Sequence, residues 1–355
     1  HRDGTRLAHQ GQMDQRDNNT RRCTLSGMSR LVLTRGERAP IATNPVSSAM
    51  TIETTKTDTA KIKPGAARIG VALGGGGLKA MSAIALFRFL DQKALPPQVI
   101  TGCSAGALVA AMRGAGFSIA KMQDVAFEMA NPKLFSKYEI KPLLGIANLP
   151  GGHFDKRSGM MNPDQVLGFY RDLFGDLRLE DLHIKTALVA TDVTTGQKVL
   201  LEHGLVADAV FASGALWPLF PPHEVEGRLL MDGGYADPLP LLDLVKLDRS
   251  DVNIAMMFDE KPDPDPQGFV QCLSNQVNIM LRAITRSQNI LAIEMEQYET
   301  IFIKFVMDSP VQLDQAAVPL VLDAGRKMVK RHANDILSAV ANFSATEFVN
   351  QDPSA

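Results

Sequence analysis

Residues 97–109 read PQVITGCSAGALV, and their reading decides the fold. The first five residues centre on the β-branched Val99, Ile100 and Thr101, as in a short buried strand. The last three, Ala107-Leu108-Val109, are apolar and continue into a helix. Between them lies Gly102-Cys103-Ser104-Ala105-Gly106, a G-x-S-x-G pattern. Where such a pattern joins a strand to a helix, the turn is sharp, its neighbours must be small, and the serine oxygen projects free. The helix beginning at Ala105 points its positive end toward that oxygen. Ser104 is therefore a candidate nucleophile.

Upstream, Arg68–Leu73 reads as another short buried strand, followed by glycines 74–77 and by a helix from Leu78 to about Lys93. Its apolar positions Met81, Ile84, Ala85, Leu86, Phe89 and Leu90 recur at helical spacing, and Pro96-Pro97 closes it. Strand, Gly loop, helix, strand, Ser turn and helix in this order make a parallel βαβ unit.

A Gly loop at a helix start is an anion site, because backbone amides point outward and no Cβ blocks approach. Three uses compete. A nucleotide P-loop needs Gly-Lys followed by Ser or Thr, whereas here Leu78 precedes Lys79 and Ala80 follows. A dinucleotide fingerprint fits Gly75-Gly76-Gly77-Leu78-Lys79-Ala80 as G-x-G-x-x-A, and with it a nicotinamide cofactor. That unit also wants an acid at the end of the second strand, which here ends Thr101-Gly102-Cys103-Ser104. In the third use Gly75, Gly76 and Gly77 supply the amides of an oxyanion hole beside Ser104.

A serine hydroxyl needs a base. The histidines after Ser104 are His153, His183, His203, His223 and His332. A Ser104–Asp232–His332 triad has the chain order of an α/β-hydrolase. However, His332 falls on a charged helix (RKMVKRHAND), where it reads as a solvated residue. The other candidate is Asp232 itself, in RLLMDGGYADPLP, at the end of a short apolar strand with two glycines behind it. A partly desolvated carboxylate titrates higher and can act as the base alone.

Further elements follow from pattern. Lys185–Thr191, Lys198–Glu202, Arg228–Met231 and Val252–Phe258 read as strands, and Ala207–Ala212 as a helix. The segments 268–297 and 316–341 are helical by period, 259–268 is an acidic, Pro-rich surface loop, and 133–165 is an irregular cap. The chain has 355 residues, 45% hydrophobic, with a formal net charge of −2, so nothing in it favours nucleic acid. Three cysteines at unrelated spacings favour neither a disulfide framework nor a metal site. Cys103 reads as a small packed residue. No apolar run reaches the roughly 18 residues of a membrane span, no secretory signal is visible, and no amphipathic anchor stands out. The expected location is cytoplasmic or peripheral to a membrane. Residues 1–49 contain arginine but no lysine, and the composition changes near Met50. Residues 1–66 are therefore expected to be a disordered or appended segment with a Thr- and Lys-rich linker. The domain is expected over 67–345, with a tail at 346–355.

Four blocks in this order resemble the patatin-like phospholipase family: LGGGGLKA, GCSAG, KTALVATDVTTGQKVLL and SGALWPLFPPHEVEGRLLMDGG. The similarity covers about residues 67–260 and has the flavour of the bacterial branch related to neuropathy-target-esterase-type hydrolases. It implies a three-layer α/β/α sandwich with a mostly parallel central sheet. It also implies a lipase, esterase or phospholipase A working through a Ser104–Asp232 dyad and an acyl-enzyme, with Gly75, Gly76 and Gly77 as the oxyanion hole. The partner implied is a lipid or ester, with peripheral membrane contact and no metal or cofactor. The family often has Arg-Gly after the Gly loop, where this chain has Lys79-Ala80. Lys79 keeps the charge for a substrate contact but loses the bidentate fork of arginine. Trp217, Leu219, Phe220 and apolar residues of 133–165 are candidates for acyl-chain contacts.

Overall fold

The computed structural model describes residues 67–260, 263–294, 299–307 and 314–350. The chain divides into two units, His1–Ile52 and Glu53–Ala355, and every described residue belongs to the second. The expectations for residues 1–66 lie outside the described residues.

The first strand, β1 (Ile69–Leu73), is buried along its whole length. A 3₁₀ turn (Gly77–Ala83) and helix α1 (Ile84–Gln92) lead to β2 (Pro97–Cys103), which pairs parallel with β1. Helices α2 (Ala105–Gly114) and α3 (Ile119–Met129) follow, the latter capped by the Ser118 hydroxyl, which accepts from the Lys121 amide at 3.2 Å. Next come α4 (Ile140–Ile146) and α5 (Asp164–Phe174), then β3 (Lys185–Asp192), parallel to β2, with β4 (Lys198–Leu201) antiparallel to β3. After α6 (Val206–Gly214), the hairpin β5 (His223–Val225) and β6 (Arg228–Asp232) returns antiparallel to β3, placing Asp232 opposite Ala190. Helix α7 (Leu241–Leu247), β7 (Val252–Glu260), α8 (Gly268–Glu294), β8 (Glu299–Met307) and α9 (Val318–Asn350) complete the described chain. The sheet order is β5-β6-β3-β2-β1-β7-β8, with β4 also on β3. Five of these strands are mutually parallel.

The strands alternate their side chains between two faces, as a pleat requires. Val71, Leu73, Ile100, Leu188, Ile254, Met256 and Ile303 join the larger core with residues of α1, α2, α6 and α9. Ala72, Val99, Ala187 and Ala255 pack on the other face against Leu241, Leu244 and Leu247 of α7. Helices on both faces of a mostly parallel sheet give the three-layer α/β/α architecture, and the central strands are apolar on both sides for the same reason.

The structure departs from the sequence reading in several places, and α3, α5, α7 and β5 fall where no element was assigned. Residues 77–83 form a 3₁₀ turn rather than the first turns of α1. Residues 78–83 are all buried, and α9 crosses them so closely that a side chain at Gly325 would meet the Ser82 carbonyl at 2.5 Å. The 133–165 region is not wholly irregular. It holds a 3₁₀ turn at Pro132–Phe135 and α4, with Tyr138 bridged antiparallel to Met161. Residues 299–307, to which no element was assigned, form the edge strand β8 in parallel register with β7. Among the described residues no helix is long and apolar enough to cross a membrane.

Candidate active site

Ligands of open parallel sheets gather at the carboxyl ends of the strands, and here the loops after β1 and β2 meet there. Ser104 stands between β2 and α2 with φ 54° and ψ −126°, a left-handed conformation rare for a residue with a side chain. Such a conformation costs about 1–3 kcal/mol and persists only where the surroundings enforce it. Two features enforce it. The Ser104 amide donates to Ser213 Oγ at 2.9 Å, and that hydroxyl donates to the Val189 carbonyl at 2.6 Å. Gly106 lets the first turn of α2 close over β1: a Cβ there would lie 2.4 Å from the Gly74 carbonyl oxygen.

The Ser104 hydroxyl donates to Asp232 Oδ2 at 2.6 Å. Asp232 Oδ1 accepts from the Gly234 amide at 2.8 Å, and the Asp232 carbonyl accepts from Thr191 Oγ1 at 2.9 Å. The Asp232 side chain is thus held at both oxygens, and the residue is only 4% exposed. Burial lifts its carboxyl from 3.8 to about 6, against the opposing pull of the hydrogen bonds from Ser104 and Gly234. Behind it, Lys198 of β4 donates to Asp237 at 3.0 Å and to Asp243 at 2.6 Å, tying the turn after β6 to β4 and α7. Burial also raises the Asp237 carboxyl to about 6, although Lys198 pulls it down.

The three glycines are not equivalent. The Gly75 amide donates to the Pro238 carbonyl at 3.0 Å and is committed to holding the loop. The first amide to bond back within the following turn is that of Lys79, to Gly76 O, so the Gly76 and Gly77 amides precede the turn's own hydrogen bonding. Gly77 has φ 54°, which glycine adopts without strain. Likewise Ala107 is the first α2 donor, to Ser104 O, leaving the Ala105 and Gly106 amides ahead of it.

Ser104, Asp232 and glycines 74–77 line a cavity of about 960 Å³. Its apolar wall includes Met129, Phe135, Tyr170, Phe211, Leu219 and Phe220. Leu219 and Phe220 thus lie where the sequence reading put them. Trp217 does not line the cavity; its indole N–H donates to the Ser158 carbonyl at 3.0 Å and braces the cap. Lys79 is buried at the cavity wall. Among the described residues no histidine lines the cavity. His332 lies on α9 and pairs with Asp335 at 3.1 Å, and His223 is taken by Asp208 at 3.0 Å. Cys103 is fully buried, and burial drives its thiol well above the usual range, which keeps it protonated and inert. Among the described residues no cluster of metal-ligating side chains occurs.

Ser213 and Thr191 escaped the sequence reading, as did the Gly234 amide. Ser213 lies in SGALWPLFPP, a segment quoted for its resemblance, but nothing in its spacing points at the Ser104 amide.

A serine with positive φ at a strand–helix turn, hydrogen-bonded to a buried carboxylate beside an apolar cavity, is thus set in a three-layer α/β/α fold. Residues 71–245 match the family model described as patatin-like phospholipase. It is 31% identical over 192 residues to an NTE family protein of Mycobacterium tuberculosis, covering 54% of this chain and 49% of that one. It is 30% identical over 183 residues to lysophospholipase NTE1 of Candida glabrata, covering 50% of this chain and 10% of that one. The chain thus spans about half the length of the mycobacterial relative and a tenth of the fungal one. Among solved structures, VipD from Legionella pneumophila is similar with a TM-score of 0.37 and 14% identity, over 76% of this chain and 67% of that one.

Proposed function

We propose that residues 67–345 form a lipid acyl hydrolase that works through a Ser104–Asp232 dyad and an acyl-enzyme. The observation that carries this reading is the 2.6 Å hydrogen bond from Ser104 Oγ to the buried Asp232 carboxylate, in a cavity that no histidine among the described residues lines. Asp232 takes the proton as Ser104 Oγ attacks the ester carbonyl. The amides of Gly76 and Gly77, with that of Ala105 at the α2 N-terminus, receive the oxyanion. The tetrahedral intermediate collapses as Asp232 returns the proton to the departing alkoxide, which leaves as an alcohol. The Ser104 ester remains. Asp232 then deprotonates a water, which attacks the acyl carbonyl, and the proton passes back to Ser104 Oγ as the fatty acid departs.

The apolar wall of the cavity supports an acyl chain as the group bound, and the patatin-like domain supports a lipid ester as the substrate class. A triad through His332 has no support from its position on α9. The test is hydrolysis of p-nitrophenyl acyl esters of increasing chain length, with Ser104→Ala as control. Turnover that disappears in the variant and rises with chain length is the expected result. Turnover unchanged in the variant would place the nucleophile elsewhere.

A further inference from the structure

We propose that the cap segment around α4 docks the protein on an anionic lipid bilayer, with the cavity mouth beside the docking surface. This deepens the lipid-hydrolase reading and rests on it for the identity of the substrate.

Large apolar side chains are normally scattered singly on a soluble surface, and a contiguous patch marks an interaction site. Here Tyr138, Ile140, Leu143, Ile146 and Leu149 are 63%, 70%, 37%, 46% and 51% exposed, all within twelve residues of chain. Ile140, Leu143 and Ile146 recur every third residue and so share one side of α4. An amphipathic helix that lies in a membrane interface presents such a stripe beside basic residues.

Charge identifies the partner. Lys133, Lys137, Lys141 and Lys156 are exposed around the patch. None of them makes an ion pair among the described residues, although the whole chain is net negative. The nearby acids are turned to internal bonds. Glu139 accepts from Asn162 Nδ2 at 2.6 Å, and Asp155 accepts from Ser158 Oγ at 3.0 Å and from the Arg157 amide at 2.8 Å. Exposed lysines beside an apolar stripe match an anionic leaflet, where lysines near the surface are attracted to the lipid phosphates.

The patch is also held in place and continuous with the cavity. The Glu139 amide donates to Met160 O, and the Asn162 amide to Lys137 O. The Met160 and Met161 amides in turn donate to Pro218 O and Leu219 O. Tyr138 and Met161 line the cavity, as does Ile279 of α8, which is itself 44% exposed. A lipid lifted from the bilayer would therefore meet apolar side chains from the surface inward.

The experiment uses the full chain carrying Ser104→Ala, so that vesicles stay intact, in co-sedimentation with vesicles of phosphatidylcholine alone or mixed equally with phosphatidylglycerol. Binding to the mixed vesicles is expected, weakening with salt and falling by about tenfold or more with Ile140→Asp plus Ile146→Asp. Lys137→Glu plus Lys141→Glu should weaken binding to the mixed vesicles only. In the active protein the Ile140/Ile146 pair should leave turnover of monomeric p-nitrophenyl butyrate unchanged and slow turnover of vesicle lipid. The proposal is overturned if the parent does not bind mixed vesicles or if both pairs bind as the parent does. It is equally overturned if the parent sediments as a dimer that the Ile140/Ile146 pair dissociates, which would put a second copy on this face. Vesicle binding that follows the expected pattern with no ester turnover would uphold docking and overturn the hydrolase reading instead.

Discussion

At the scale of single residues, the account turns on one carboxylate. Asp232 titrates near 3.8 in an unfolded chain and at about 6 in the folded one. Only its ionised form can take a proton from Ser104, so kcat/KM should fall about tenfold per pH unit below about 6. The same shift acts on stability. Between pH 4 and 6 the folded state holds a proton that the unfolded state has lost, so stability declines as pH rises through that window. At higher pH the deficit is constant, and its upper bound is about 3 kcal/mol. Asp232→Asn removes it. The variant should lose about 10³-fold in turnover yet melt higher than the parent at pH 8, with the difference vanishing near pH 4. Calorimetry at the two pH values checks this, and an equal or lower melting temperature at pH 8 would remove the desolvation argument. Ser213 acts through Ser104 rather than on substrate. Ser213→Ala should lower kcat with little change in KM, while Ser213→Thr, which keeps the hydroxyl, should recover part of the loss.

At the scale of elements, close approach and one ion cluster hold the site. A methyl group at Gly106 would collide with backbone rather than with a side chain that could move. Gly106→Ala should destabilise by about 1–3 kcal/mol or more, measured as a lower denaturant midpoint. Lys198 serves two largely buried carboxylates at once. Lys198→Met leaves Asp237 and Asp243 facing each other unpaired and should cost about 3 kcal/mol at pH 8, with the loss shrinking as the pH falls and Asp237 protonates. The elements themselves were mostly legible. β1, β2, β3 and β7 each carry a short, mostly apolar run between polar or glycine-rich stretches, and such runs read as strands. β8 was not, because this edge strand carries Lys304 among its apolar residues and takes its place by pairing with β7 and packing Ile303 and Phe305 into the core. The 3₁₀ form of 77–83 was hidden too, since α9 imposes it from far along the chain.

At the scale of the molecule, chain order and spacing single out Ser104 and Asp232 as candidates, and the fold brings them within a hydrogen bond of each other. G-x-S-x-G and the Asp-Gly-Gly turn each constrain a local backbone, and a parallel sheet carries both to the same edge. What spacing could not say is which donors are left over once the loops have closed. Gly75 looks like its neighbours in sequence, but Pro238 claims its amide. Nor could it show that the apolar residues of α4 stay at the surface, because burial is decided by what the rest of the fold covers. Both facts are tertiary, and both bear on function.

The central claim is that Asp232 alone is the base for Ser104. It is tested most directly by measuring ester turnover of Asp232→Ala and His332→Ala side by side at pH 8. The account predicts that the first loses about 10³-fold or more and the second keeps the parental rate. A large loss in His332→Ala, with its fold intact, would contradict it and restore a triad.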